Sequence, residues 1–149
     1  LTGVHNRAYY EAEIERTHKS RNFPVAFFII DLNGLKQVND NLGHVAGDNL
    51  IKSAGKILKN SARGCDCVAR IGGDEFAIVV PNASSEIVDT IVKRIIKNQE
   101  EFNKTAELKV SMAIGVCIAA NENQIESAVK SADARMYENK RKIKNSQNR

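Results

Sequence analysis

One stretch limits what this chain can fold into more than any other: Arg70-Ile71-Gly72-Gly73-Asp74-Glu75-Phe76-Ala77-Ile78-Val79-Val80. Two glycines between strand-like runs predict a two-residue hairpin turn with positive φ at one or both glycines. Asp74 and Glu75 follow at once, and a β-branched apolar run carries the chain into a buried strand. Two acids at the mouth of a hairpin repel each other unless a cation lies between them. The hard cation that suits carboxylate oxygens beside a nucleotide is Mg²⁺. The hairpin is therefore where phosphate chemistry is expected.

The rest of the chain supplies partners for that hairpin. Asn6 is placed to cap a polar helix over Ala8 to Lys19. Val25 to Ile30 reads as a strand buried on both faces and ending in Asp31. A Gly/Asn-rich turn, a short helix from Leu35 to Asn41 and a break at Gly43 lead to a longer helix from about Val45 to Lys59. Its apolar stripe is Leu50, Ile51, Ala54, Ile57 and Leu58. Cys67 to Ile71 and Phe76 to Val80 form the hairpin arms. Ser84 or Ser85 caps a helix carrying Ile87, Val88, Ile91, Ile95 and Ile96 inward. Lys109 to Ile118 is the last strand. The closing helix runs from Ile125 to about Lys142, with Ile125, Ala128, Val129, Ala132 and Met136 inward.

The core order strand, helix, strand, strand, helix, strand predicts an α+β, ferredoxin-like βαββαβ fold. Two right-handed crossovers cover one face of a central antiparallel sheet, and further helices flank it. A length of 149 residues fits one domain, and 42% hydrophobic with 27% charged residues excludes whole-chain disorder. Val25 to Ile30, the longest apolar run, is too short to span a bilayer. No secretory leader is recognisable, so a cytoplasmic setting is expected. Cys65, Cys67 and Cys117 lack zinc spacing and read as small buried hydrophobes. The net charge of +4 draws on Lys130, Arg135, Lys140, Arg141, Lys142, Lys144 and Arg149 near the end. Aromatics are few and none alternates with these bases, which favours a small nucleotide over nucleic acid as partner.

In this topology the first strand and the hairpin lie side by side, so Asp31 can approach Asp74 and Glu75. Three acids around one point raise one another's pKa unless a metal compensates them. Adjacent residues of a regular strand point to opposite faces, so Asp74 and Glu75 need the glycine turn to converge. A second motif begins at Asp31: Asp31-Leu32-Asn33-Gly34-Leu35-Lys36-Gln37-Val38-Asn39-Asp40-Asn41-Leu42-Gly43-His44-Val45-Ala46-Gly47-Asp48. With it the chain resembles the GGDEF family of diguanylate cyclases, which condense two GTP into cyclic di-GMP. The resemblance spans the chain. It starts at Leu1-Thr2-Gly3-Val4-His5-Asn6-Arg7, continues through Ser111 to Val116 and ends in Ala132-Asp133 through Lys140.

That resemblance implies a nucleotide-cyclase or polymerase-palm-like core and a set of roles. Asp31, the Leu32 carbonyl and Asp74 would be metal ligands. Glu75 would bind a second metal or assist deprotonation of the ribose 3′-hydroxyl. Two Mg²⁺ or Mn²⁺ ions are expected per half-site. Asn39 and Asp48 would hold guanine, and a carboxylate pairing with N1–H and the exocyclic amine favours GTP over ATP. Asp48 equally suits a helix N-terminus. Gly72 and Gly73 would line the substrate. Lys36, counted with Asp74 and Glu75 as catalytic, and Lys140 match phosphate positions. Lys144 replaces the usual arginine, keeping a point charge without the bidentate fork. Asn33 and Leu35 stand where many members carry Asp and Phe.

The implied reaction is metal-assisted attack of one GTP's 3′-hydroxyl on the other's α-phosphate across a homodimer. Arg63 and Asp66 match the family's R-x-x-D product-inhibition site, with Arg94 a candidate second arm; the alternative is a local salt bridge. His5, His18 and His44 do not cluster, and His44 is expected to order the glycine turn. The competing reading of the whole chain is a non-catalytic receptor for GTP or cyclic di-GMP. Residues 1–149 are expected to form a single domain, the C-terminal part of a longer sensor protein. Any membrane tether is expected in a region N-terminal to this domain.

Overall fold

The computed structural model describes residues 3–147. Leu1 and Thr2 of the opening motif, and Arg149 of the basic run, lie outside the described residues. Helix α1 spans Arg7–His18, and the Asn6 side chain accepts from the Tyr9 N–H as its cap. Strand β1 is Val25–Leu32, followed by α2 (Leu35–Leu42) and α3 (His44–Ser61). The hairpin strands are β2 (Cys67–Arg70) and β3 (Glu75–Val80). Helix α4 (Ser85–Asn103) is capped by Ser84, β4 is Met112–Ala119, and a short 3-10 turn, Glu122–Gln124, opens into α5 (Ile125–Gln147).

The sheet order is β2-β3-β1-β4, and every pairing is antiparallel. This is the ferredoxin-like order expected from the sequence, with β1 and β3 central. Every residue of β1 is buried, because helices cover both faces. Ala26, Phe28, Ile30 and Leu32 pack into the core beneath α2, α3 and α4. Val25, Phe27 and Ile29 point the other way, into a core built with α1 and α5. Burying apolar area on both sides at roughly 25 cal/mol per Å² makes β1 the spine of the domain.

Several sequence expectations are corrected. β1 continues two residues past Ile30 because Asp31 and Leu32 still pair with Ala113 and Met112. β4 starts at Met112 rather than Lys109, since the Asn103 side chain takes both the N–H and the carbonyl of Val110. Ile96 is 46% exposed, off the α4 stripe of Val88, Ile91 and Ile95. α5 extends to Gln147, beyond Lys142. Of the cysteines only Cys67 is fully buried, its thiol pushed up to about 11 by desolvation; Cys65 is exposed.

The turn itself also differs. Four residues, Ile71 to Asp74, separate the strands, and neither Gly72 nor Gly73 adopts a left-handed φ. The loop closes through the Ile71 and Gly72 N–H groups, both donating to the Glu75 carbonyl. Left-handed glycines stand instead at Gly34 (φ 78) and Gly43 (φ 89), which open α2 and separate it from α3. Gly115 of β4 matters for packing: a Cβ there would collide with the backbone of Ala132 and Met136, so glycine lets α5 lie directly on the sheet. Among the described residues no helix is long and apolar enough to cross a membrane.

Candidate active site

Strand parity sets the site. Asp31 follows Val25, Phe27 and Ile29 in the alternation, so its carboxylate faces the α5 side of the sheet. Glu75 stands directly opposite Asp31 in the β1–β3 ladder. Like charges opposed in register destabilise a sheet, and here a third acid joins them. Asp74 lies just outside β3, and its carbonyl accepts from the Leu32 N–H at 2.7 Å, which pins the loop against the end of β1. One carboxylate oxygen from each of Asp31, Asp74 and Glu75 lies within 4.8 Å of the others. Asp74 and Glu75 thus converge because one sits in the loop and the other in the strand.

The loop is held from outside by two arginines that sequence reasoning missed. Arg70 donates from Nε to the Gly72 carbonyl (3.2 Å) and from Nη2 to the Gly73 carbonyl (2.9 Å). Arg7 donates to the Ile71 carbonyl at 2.8 Å. A Cβ at Gly73 would meet no atom of the chain within 4 Å. Glycine there leaves open space rather than satisfying the fold, as suits close approach of a ligand to the backbone. On the far side of Asp31, the Asn33 N–H and side-chain amide both donate to Ser111.

Asp31 is almost wholly buried, with a side chain 5% exposed. Lys140 of α5 brings its Nζ to 2.7 Å from Asp31 Oδ2, a close ion pair whose geometry is poor for a hydrogen bond, so that buried oxygen is incompletely satisfied. Burial raises the Asp31 pKa; Lys140 opposes the rise and Asp74 adds to it. Glu75 is raised by burial first, then by Asp31, Asp133 and Asp74. Contact with Asp31 raises Lys140 in turn. Three carboxylates against one ammonium leave an excess that a divalent cation matches. The incompletely satisfied, buried Asp31 oxygen and the all-oxygen donor set fit Mg²⁺ or Mn²⁺.

A second cluster lies at the corner between α2 and α3. The Asn39 side chain occupies the place a Cβ on Gly47 would take, so buried Gly47 seats Asn39 beside the residue that precedes Asp48. Lys36, in the first turn of α2, is exposed, as are Asp48 and Lys144. Lys144 lies one turn beyond Lys140 on the same side of α5. His44 is exposed at the start of α3, while His5 stacks on Tyr9 with centroids 3.6 Å apart.

The R-x-x-D residues are engaged with each other. The Asp66 side chain is fully buried and accepts from the Arg63 backbone N–H at 2.7 Å and from its guanidinium at 3.0 Å. Arg63 also donates to the Pro81 carbonyl at 2.7 Å. Arg63 and Arg94 line one cleft of about 330 Å³ with Glu86 and Thr90.

The family model described as "Diguanylate cyclase, GGDEF domain" matches residues 1–146. The chain belongs to the GGDEF diguanylate cyclase family. Among relatives, diguanylate cyclase DgcS of Shewanella oneidensis is 29% identical over 143 residues, covering 94% of this chain and 48% of DgcS. Diguanylate cyclase TpbB of Pseudomonas aeruginosa is 31% identical over 154 residues, covering 98% of this chain and 35% of TpbB. The chain therefore spans less than half the length of these relatives. The solved GGDEF domain of TpbB superposes with a TM-score of 0.79 at 31% identity, covering 95% of this chain and 87% of that one. The GGDEF domain of DgcB from Caulobacter crescentus, solved with cyclic di-GMP, shares the fold: TM-score 0.82, 24% identity, 94% and 87% covered.

The raised acids give this GGDEF domain a pH signature. A carboxyl that holds its proton more tightly when folded costs stability as pH rises from its unfolded value of about 4 through its raised folded value. In chelator, Glu75→Gln should therefore unfold at higher denaturant than wild type at pH 7. The two should converge below about pH 4, and saturating Mg²⁺ should reverse their order. Denaturant titrations across pH check this, and a less stable variant at pH 7 in chelator contradicts it.

Proposed function

We propose that this domain is a catalytic diguanylate cyclase, condensing two GTP into cyclic di-GMP and pyrophosphate across a pair of domains. The observation that carries this reading is the convergence of Asp31, Asp74 and Glu75 at the ends of the two central strands, beside Lys140. Three converging acids are more than holding cyclic di-GMP alone requires, which favours a metal-assisted reaction over a bare product receptor.

Asp31, Asp74 and Glu75, with the Leu32 carbonyl, would hold Mg²⁺ or Mn²⁺, which when bound offsets phosphate charge and favours ionisation of a ribose hydroxyl. The chain's own residues do the rest. Asn39 and Asp48 accept and donate at the guanine edge, and an adenine would leave Asp48 unpaired. Gly72 and Gly73 let the triphosphate run close to the loop backbone. Lys36, Lys140 and Lys144 offset its charge as flexible point charges. Glu75, beside Asp31 and Asp74, would either hold a second cation or assist removal of the 3′-hydroxyl proton as that oxygen attacks the α-phosphorus and pyrophosphate leaves. Each domain presents one GTP, so the reaction needs two domains facing each other, and their proximity supplies much of the rate. Arg63 and Arg94 would bind product in their shared cleft, Arg63 being already oriented by Asp66.

Incubation with GTP and Mg²⁺ should yield cyclic di-GMP by mass analysis, with turnover per molecule rising with protein concentration. Asp74→Ala should lower turnover by roughly 100-fold or more, the scale of losing one group that stabilises transition-state charge, with the fold retained. Unchanged GTP at high protein concentration would leave the receptor reading in place. Product inhibition is tested separately. Arg63→Ala should raise the cyclic di-GMP concentration needed for half-inhibition, and an unaltered inhibition curve would make the Arg63–Asp66 pair purely structural.

A further inference from the structure

Lys140 stands in a place its phosphate role does not explain. Its ammonium lies 2.7 Å from Asp31 Oδ2, a buried oxygen of the carboxylate cluster for which Lys140 is the cationic neighbour. With its ammonium on Asp31, Lys140 has only its remaining N–H donors and part of its charge to offer a phosphate. We propose that Lys140 is a two-position counter-ion: it neutralises Asp31 until a divalent cation takes its place, and is then free to pair with the triphosphate. The inference rests on the carboxylate cluster being the metal site proposed above.

The surroundings favour movement of the side chain alone. α5 is fixed to the sheet at this level: the Ile114 N–H donates to Asn139 Oδ1 at 2.8 Å, and Gly115 admits the helix backbone without a gap. The Lys140 side chain is 43% exposed, so a flexible four-carbon stem can swing its head into water without disturbing the core. A divalent ion arriving alone competes with Lys140 for the Asp31 carboxylate and meets a like charge beside its ligand. One arriving with a triphosphate gives the displaced ammonium a new partner. Cation and nucleotide are thereby coupled, each favouring the other by the same factor. Lys144 is exposed and makes no ion pair among the described residues, which makes it the natural comparison.

The test is Mn²⁺ binding without nucleotide, read from the free-ion electron paramagnetic resonance signal. Lys140→Met keeps the apolar stem and removes the charge, and Lys140→Gln serves as a second variant. Both should bind Mn²⁺ roughly tenfold more tightly than wild type, equivalent to about 1.4 kcal/mol. Lys144→Met should change affinity by less than about twofold, its charge being screened by water. Asp31→Asn added to Lys140→Met should abolish the gain. Equal affinity in wild type and both Lys140 variants overturns this proposal and leaves the carboxylate site standing. An equal gain in Lys144→Met also overturns it, since a general field would then suffice. Absence of Mn²⁺ binding in every variant overturns the metal site as well.

Discussion

The structure depends on one uncomfortable pairing: Asp31 and Glu75 opposed across the two central strands, with Asp74 folded in beside them. A sheet gains nothing from like charges in register. Burial makes the cost larger, because water that would screen the carboxylates is displaced by α5. Lys140 offsets part of that cost and leaves an excess of negative charge. The domain behaves as a scaffold holding an incomplete ion cluster, whose missing charge a divalent cation would supply.

The remainder of the fold can be understood as what keeps this cluster from relaxing. β1 is buried on both faces by two separate cores, so Asp31 cannot slide away without exposing Phe27, Phe28 and Ile30. The Leu32–Asp74 hydrogen bond and the arginine clamps on Ile71, Gly72 and Gly73 fix the loop from the backbone. Gly115 lets α5 approach closely enough for Lys140 to reach across. The corner between α2 and α3, where guanine is proposed to bind, is built by the same economy of space, with Gly47 making room for Asn39. At Gly47 and Gly115 a Cβ would collide with the Asn39 side chain and with the α5 backbone, so sterics favour glycine at both.

Much of this was legible in the sequence. Local signals with one physical cause came through: the Asn6 and Ser84 caps, the α3 stripe, and the apolar run of β1. Strand order followed from the alternation of elements, and with it the meeting of Asp31, Asp74 and Glu75. What the sequence withheld was long-range or depended on three dimensions. The Arg7 contact with Ile71 bridges 64 positions, and the Lys140–Asp31 pair joins distant parts of the chain. Neither leaves a periodic trace. The double glycine suggested a tight left-handed turn, yet the loop is wider, and its glycines answer to open space rather than to φ. Ile96 kept helical spacing but fell just outside the arc that α4 buries. The R-x-x-D spacing and the alternative of a local Arg63–Asp66 salt bridge were both visible, and the structure contains that bridge; the complete burial of the Asp66 side chain was not visible.

The central claim is that the three carboxylates form one cation site facing a guanine nucleotide. Crystals grown with Mn²⁺ and a non-hydrolysable GTP analogue, measured at the manganese edge, test it most directly. The anomalous peak is expected between Asp31, Asp74 and Glu75, with the triphosphate alongside Gly72 and Gly73 and the base between Asn39 and Asp48. Manganese elsewhere, or a nucleotide bound away from those acids, would contradict the account.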